Sequence, residues 1–212
     1  MFRFKFTFND LEAQFMQKLM IATLMIICCA SLSLAQNTEE YPKNEVFIGY
    51  SYENADINSL TPDPGRTGLQ GVNLAYTRNI NRLLGITADF SGHIKRESFT
   101  TGTGDVQRDR QQYNLLGGLQ FKARNRTRLT PFAHALFGVG LFRGFTAVLS
   151  PSTNTYFFDD AKSFSMVYGG GLDIRASRRI TIRAVQADYN PTFFGGGRQN
   201  NFRLSFGVVF TR

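Results

Sequence analysis

From residue 45 onward, apolar and polar residues alternate with a period of two, the pattern of strands whose two faces meet different surroundings. In the first segment, Glu45 to Glu53, Val46, Ile48, Tyr50 and Tyr52 take one face and Gly49, Ser51 and Glu53 the other. Similar segments follow at 71–78, 84–94, 113–122, 130–142, 164–175, 180–189 and 201–211. The last is the cleanest, setting Phe202, Leu204, Phe206, Val208 and Phe210 against Arg203, Ser205, Gly207 and Thr211. In the seventh, Gln186 and Asp188 fall on the face of Ile182, and a bulge near Val185-Gln186 restores the phase. The pattern predicts eight antiparallel strands.

The connections alternate in length. Asn79 to Arg82 and Ala176 to Arg179 read as short turns and Ala123 to Leu129 as a somewhat longer one, whereas residues 54–70, 95–111, 143–163 and 190–200 read as long loops. Short turns on one rim and long loops on the other are what outer-membrane barrels show. A soluble barrel would put its apolar face inside, while a membrane barrel turns that face to lipid and fills a narrow lumen with polar side chains. Aromatics such as Tyr50, Tyr76, Phe90, Tyr113, Phe164 and Phe210 recur near the ends of the apolar face, as interfacial girdles do. The opposite face is crowded with Gly, Ser and Thr rather than the Lys and Glu of a solvated surface. The expected fold is therefore all-β: an eight-stranded antiparallel transmembrane β-barrel with short periplasmic turns and long outer loops.

Composition sharpens this reading. The chain has 212 residues, 14% of them aromatic, and a mean hydropathy of −0.19, which argues against a bundle of membrane helices. Its one long apolar run, Leu19 to Leu34, follows Lys18 and ends in Ser33-Leu34-Ala35, a signal-peptidase pattern with cleavage before Gln36. Met16 is a natural alternative start to Met1. Both cysteines, Cys28 and Cys29, lie in that leader, so the expected mature chain has no disulfide, thiolate or cysteine metal site. The formal charge of +8 falls only to +7 when residues 1–35 are removed. The expected organisation is a leader over residues 1–35, a periplasmic lead-in over 36–44 and the barrel over 45–212.

Candidate chemistry lies on the polar face. Asp89, Asp173, Arg175, Arg183, Asp188 and Arg203 read as a lumen network in which opposite charges satisfy one another where water is scarce. His93 and His134 share that face, but no HExxH, CxxC or GxSxG spacing surrounds them. A hydrogen-bonded role in the lumen is the plainer account, with no metal, cofactor or catalytic residue expected. Gly195-Gly196-Gly197-Arg198 lacks the strand-to-helix setting of a phosphate loop. The basic tracts Arg124 to Arg128 and Arg178-Arg179 fall on periplasmic turns, where nucleic acid is not a partner and anionic lipid is. Phe99, Phe145, Tyr156, Phe157, Phe158, Phe193 and Phe194 are placed in the outer loops as candidates for surface contact.

With its segments Gly169-Gly170-Gly171-Leu172-Asp173-Ile174-Arg175 and Arg179 to Tyr189, and its terminal strand Asn201 to Phe210, the chain resembles the small outer-membrane β-barrel proteins related to the OmpA transmembrane domain. The resemblance covers about residues 45–212. It implies an assembly signal at Ser205, Gly207 and Phe210, read by the barrel-assembly machinery, with Arg212 where the family places a terminal aromatic. The expected function is that of a non-enzymatic, monomeric integral barrel in outer-membrane lipid and lipopolysaccharide, with a structural or surface-interaction role and a plugged lumen. The alternatives are a narrow channel, a soluble lipocalin-like carrier and an envelope-lipid hydrolase.

Overall fold

The alternating segments form eight strands in a computed structural model that describes residues 41–56, 65–101, 104–149, 154–193 and 197–212. The leader, its two cysteines, the choice of start and most of the 36–44 lead-in lie outside the described residues, as does Phe194. The strands are β1 (Asn44–Asp56), β2 (Arg66–Asn79), β3 (Leu84–Thr101), β4 (Gly104–Lys122), β5 (Leu129–Leu149), β6 (Asn154–Arg175), β7 (Ile180–Thr192) and β8 (Gln199–Thr211). Each pairs antiparallel with its sequence neighbour, and β8 returns to β1 through a ladder from Glu45↔Thr211 to Asn54↔Phe202. Closure leaves no open edge around the belt, which hydrocarbon demands because it offers backbone groups no hydrogen bonds.

Burial follows the sequence alternation with its sense reversed from that of a soluble protein. Val46, Ile48, Tyr50 and Tyr52 are exposed on the outer wall, while Glu45, Ser51 and Glu53 are buried inside. On β8, Phe202, Leu204, Phe206 and Phe210 point out, and Arg203 and Ser205 point in. Rings gather on the outer wall toward the upper rim, with Phe90 stacked on Tyr113 and Tyr189 tilted against Phe202. A few apolar side chains also face inward: Leu116, Leu136 and Val167 form a small buried cluster.

The phase slip on β7 is a bulge, one residue earlier than expected. Asp173 pairs with Arg183 but Leu172 pairs with Val185, and on the other side Gly207 pairs with Arg183 and Ser205 with Gln186. Ala184 and Val185 therefore both face outward, and Gln186 and Asp188 return to the lumen.

Two of the long outer loops, 95–111 and 143–163, are largely strand. Strands β3 to β6 run 18, 19, 21 and 22 residues, whereas β1, β2, β7 and β8 run 13 or 14. Residues 95–101, 104–111, 143–149 and 154–163 extend the sheet beyond the belt on one half of the barrel. On β3 and β4 these extensions carry charged side chains in place of an apolar face, which is why the pattern there reads as loop. Arg96 sits opposite Asp109 with Nε 3.3 Å from Oδ2, and Glu97 accepts from Arg110 at 3.1 Å. The Lys95 ammonium, 2.7 Å from Glu97, holds that carboxyl below its usual range by hydrogen bonding to the charged form.

Candidate functional site in the lumen

Antiparallel pairing at successive levels stacks the inward side chains of all eight strands into one column, and charge dominates its lower part. Glu45 accepts from Lys122, Arg124 and Asn79 near the short-turn rim. Lys122 also donates to Asp173 at 2.7 Å, and Asp173 accepts from Arg183 Nε at 2.8 Å. The Arg183 guanidinium lies between two rings, 4.4 Å from the centroid of Phe47 and 4.1 Å from that of Phe132. Arginine suits this slot, because its planar cation stacks on both faces while its edge still donates.

Gln186 links this level to the next, accepting from Arg183 and donating to Asp188, each at 2.7 Å. There Arg203, with no exposed surface, bridges two carboxylates: Nε donates to Asp188 at 2.9 Å and Nη1 to Asp89 at 3.0 Å. Asn73 donates to Asp89 at 2.7 Å, and His134 Nε2 lies 2.8 Å from Asp188. A buried carboxylate is tolerable only with charge and donors around it, and these two have both.

Above them is a constellation with a catalytic look. His93 Nε2 is 2.8 Å from Ser51 Oγ, and its Nδ1 is 3.2 Å from Glu53 Oε2, though not aligned as a hydrogen bond. Serine, histidine and carboxylate in that order are the parts of an acyl-transfer triad. Ser51 is completely buried, and its oxygen is also bonded to Ser205 at 2.9 Å. An attacking oxygen needs an acyl carbon about 3 Å away, and a sealed serine has room for none. Glu53 instead accepts from Gln112 at 2.6 Å, and Ser165 joins Asn114 to Asn190 across the lumen. Among the described residues no group of three His, Cys, Asp or Glu could hold a metal ion.

Of the residues singled out from sequence, Asp89, Asp173, Arg183, Asp188 and Arg203 are buried in this column. Arg175 is not among them. It has the inward phase of Asp173, but β6 ends there, so its side chain is exposed and donates to the Thr127 carbonyl at 3.2 Å. Glu45, Lys122, Glu53, Gln112 and Gln186 belong to the column without having been singled out. Their signal was the alternation itself: Lys122 follows outward Phe121, and Glu45 precedes outward Val46. Ser205 faces Ser51, Gly207 pairs with Gly49 on the β1–β8 seam, and Phe210 is exposed on the outer wall.

Residues 20–210 match the profile of the family described as outer membrane protein beta-barrel domain. The fold is similar to the crystal structure of Ail, the attachment invasion locus protein of Yersinia pestis, with a TM-score of 0.52 and 19% identity over 81% of this chain and all of that one. A second Ail structure, in complex with the heparin analogue sucrose octasulfate, gives a TM-score of 0.55 at the same identity and coverage. Neisserial surface protein A follows at a TM-score of 0.46 and 13% identity, over 82% of this chain and all of that one. No curated protein matches the sequence.

Proposed function

Because this chain belongs to the outer membrane protein beta-barrel domain family and is an outer-membrane barrel, we propose that it is a non-enzymatic monomer whose lumen is a structural plug and whose function is surface contact. The observation that carries this reading is the raised half of the wall. Strands β3 to β6 stand four to nine residues longer than their counterparts and hold Phe99, Tyr156 and Phe157 exposed above the belt. Phe157 shares the inward phase of Ser165 and Val167, yet it is exposed, above the level at which strands β1, β2, β7 and β8 end. Apolar rings held on a rigid sheet lose little side-chain entropy on binding, which suits them to contact surfaces.

Charge on the raised sheet is of both signs. Lys95, Arg96, Arg108, Arg110, Arg143 and Lys162 stand among Glu97, Asp105, Asp109 and Asp160. The sulfated ligand in the second Ail structure is that protein's; here the rings, rather than a basic field, support the contact. The sealed Ser51 and the filled column support the non-enzymatic, plugged reading over a hydrolase or a channel. The last strand, with Ser205, Gly207 and Phe210, is the segment offered to the barrel-assembly machinery, and lipopolysaccharide surrounds the upper belt.

Cells displaying the barrel are expected to adhere or aggregate several-fold more than cells displaying a Tyr156→Ser/Phe157→Ser variant at equal surface level. Adhesion no greater than that of cells without the barrel would overturn surface contact. Discrete conductance steps from the purified barrel in a planar bilayer would overturn the plug.

A further inference from the structure

At the short-turn end, the cations divide into two kinds. On the β3–β6 side three are engaged in holding the turns: Arg82 and Arg124 each donate to the other's carbonyl, Arg124 also reaches Glu45, and Arg175 caps Thr127, while Arg126 and Arg128 stand exposed on the β4–β5 turn. On the β7–β8–β1–β2 side, Lys43, Arg78, Arg178, Arg179 and Arg212 are exposed, and no acidic side chain among the described residues pairs with any of them. The acidic side chains at the adjoining strand ends, Glu45 and Asp173, face the lumen and are bound there by Lys122, Arg124 and Arg183.

These five cations are also brought into one arc. Asn44 pairs with Arg78 across β1 and β2, and it exchanges both backbone hydrogen bonds with Arg212, at 2.8 and 2.9 Å. Thr211 donates to the carbonyls of Arg178 and Arg179, seating that turn against the end of β8. Two residues farther up the same strands is an outward apolar rank, Tyr76, Val46, Phe210 and Ile180, paired side by side. Arg78 and Arg212 share the outward phase of Tyr76 and Phe210, and two residues rise about 7 Å along a strand. The Tyr76 hydroxyl donates to Asn44 at the boundary, as an interfacial aromatic does. The arc thus lies at headgroup depth on the lipid-facing wall, not beneath the barrel where soluble polymers would meet it.

We infer that the Lys43–Arg78–Arg178–Arg179–Arg212 arc binds the phosphodiester headgroups of anionic phospholipids in the periplasmic leaflet. Guanidinium forks match phosphate oxygens two at a time, and crowded like charges with no acidic side chain paired to them favour a shared anionic partner. The inference rests on the outer-membrane placement and is independent of surface contact through β3–β6.

The sequence contains no tryptophan, so a Val46→Trp variant carries a single reporter in the rank above the arc. In reconstituted vesicles, quenching by brominated phosphatidylglycerol is expected to exceed that by brominated phosphatidylcholine, with a relative association constant of roughly five. The preference should fall as salt rises. It should vanish when Arg78→Gln, Arg178→Gln and Arg212→Gln are added, in a protein that still shows the heat-dependent mobility shift of a folded barrel. Equal quenching by the two lipids in the parent would overturn the inference, and so would a preference that survives the three glutamines. Loss of the preference in inorganic phosphate at matched ionic strength would also overturn it, assigning the arc to the free ion.

Discussion

Replacing Arg203 with methionine is expected to destabilise the barrel by about 3–5 kcal/mol, because it leaves Asp89 and Asp188 buried without their shared cation. Arg203 has no exposed surface and contacts both carboxylates within 3.0 Å. Methionine fills much of the same volume, so the cost is that of two uncompensated charges and not that of a cavity. The readout is the temperature at which the compact band in SDS gives way to the unfolded one, which should fall well below that of the parent. Adding Asp89→Asn and Asp188→Asn removes the stranded charges and should recover most of the loss. An Arg203→Met barrel as heat-resistant as the parent would show that the bridge contributes nothing to stability.

A comparable loss is expected from Gly207→Val, for a different reason. Gly207 faces Gly49 where the last strand closes on the first, and a Cβ there would overlap the Ile48 carbonyl oxygen and the Gly49 backbone. A Cβ on Gly49 would in turn collide with the Phe47 ring, which carries the Arg183 guanidinium. Both positions need the absence of a side chain rather than any unusual backbone angle. Valine at 207 should leave little or no compact band after refolding. Gly117→Val is the control, since a Cβ there meets only the Thr87 carbonyl at 3.9 Å and points away from the lumen. Refolding of Gly207→Val in parental yield would show that the seam tolerates a side chain.

Strand number, strand faces and the inverted sense of burial were legible in the sequence because the belt forces apolar residues into every second position. Three things were not. The raised half of the wall stands in water, where Lys95-Arg96-Glu97 and Arg108-Asp109-Arg110 form a ladder held by ion pairs, and charge alternation resembles a polar loop. Arg175 has the right phase but lies past the lumen's end, and where a column ends depends on the stagger of neighbouring strands. The choice of partners in the lumen depends on closure. Arg203 meets Asp89, 114 positions away, and Lys122 meets Glu45, 77 away, contacts that exist only once the sheet has curled on itself. The inward face could be read from the alternation, but not which level each side chain reaches.

The bulge at Ala184 makes β7 one residue longer than its two ladders require. In a strand of strict alternation, losing a residue turns every later side chain inside out, lumen charges into lipid and apolar groups into the lumen. Here, without Ala184, Arg183 would still point in, Val185 out and Gln186 in, opposite the same residues of β6 and β8. This point of the wall can therefore absorb a change in chain length without scrambling the faces, and relatives differing by a single-residue deletion are expected to place it there.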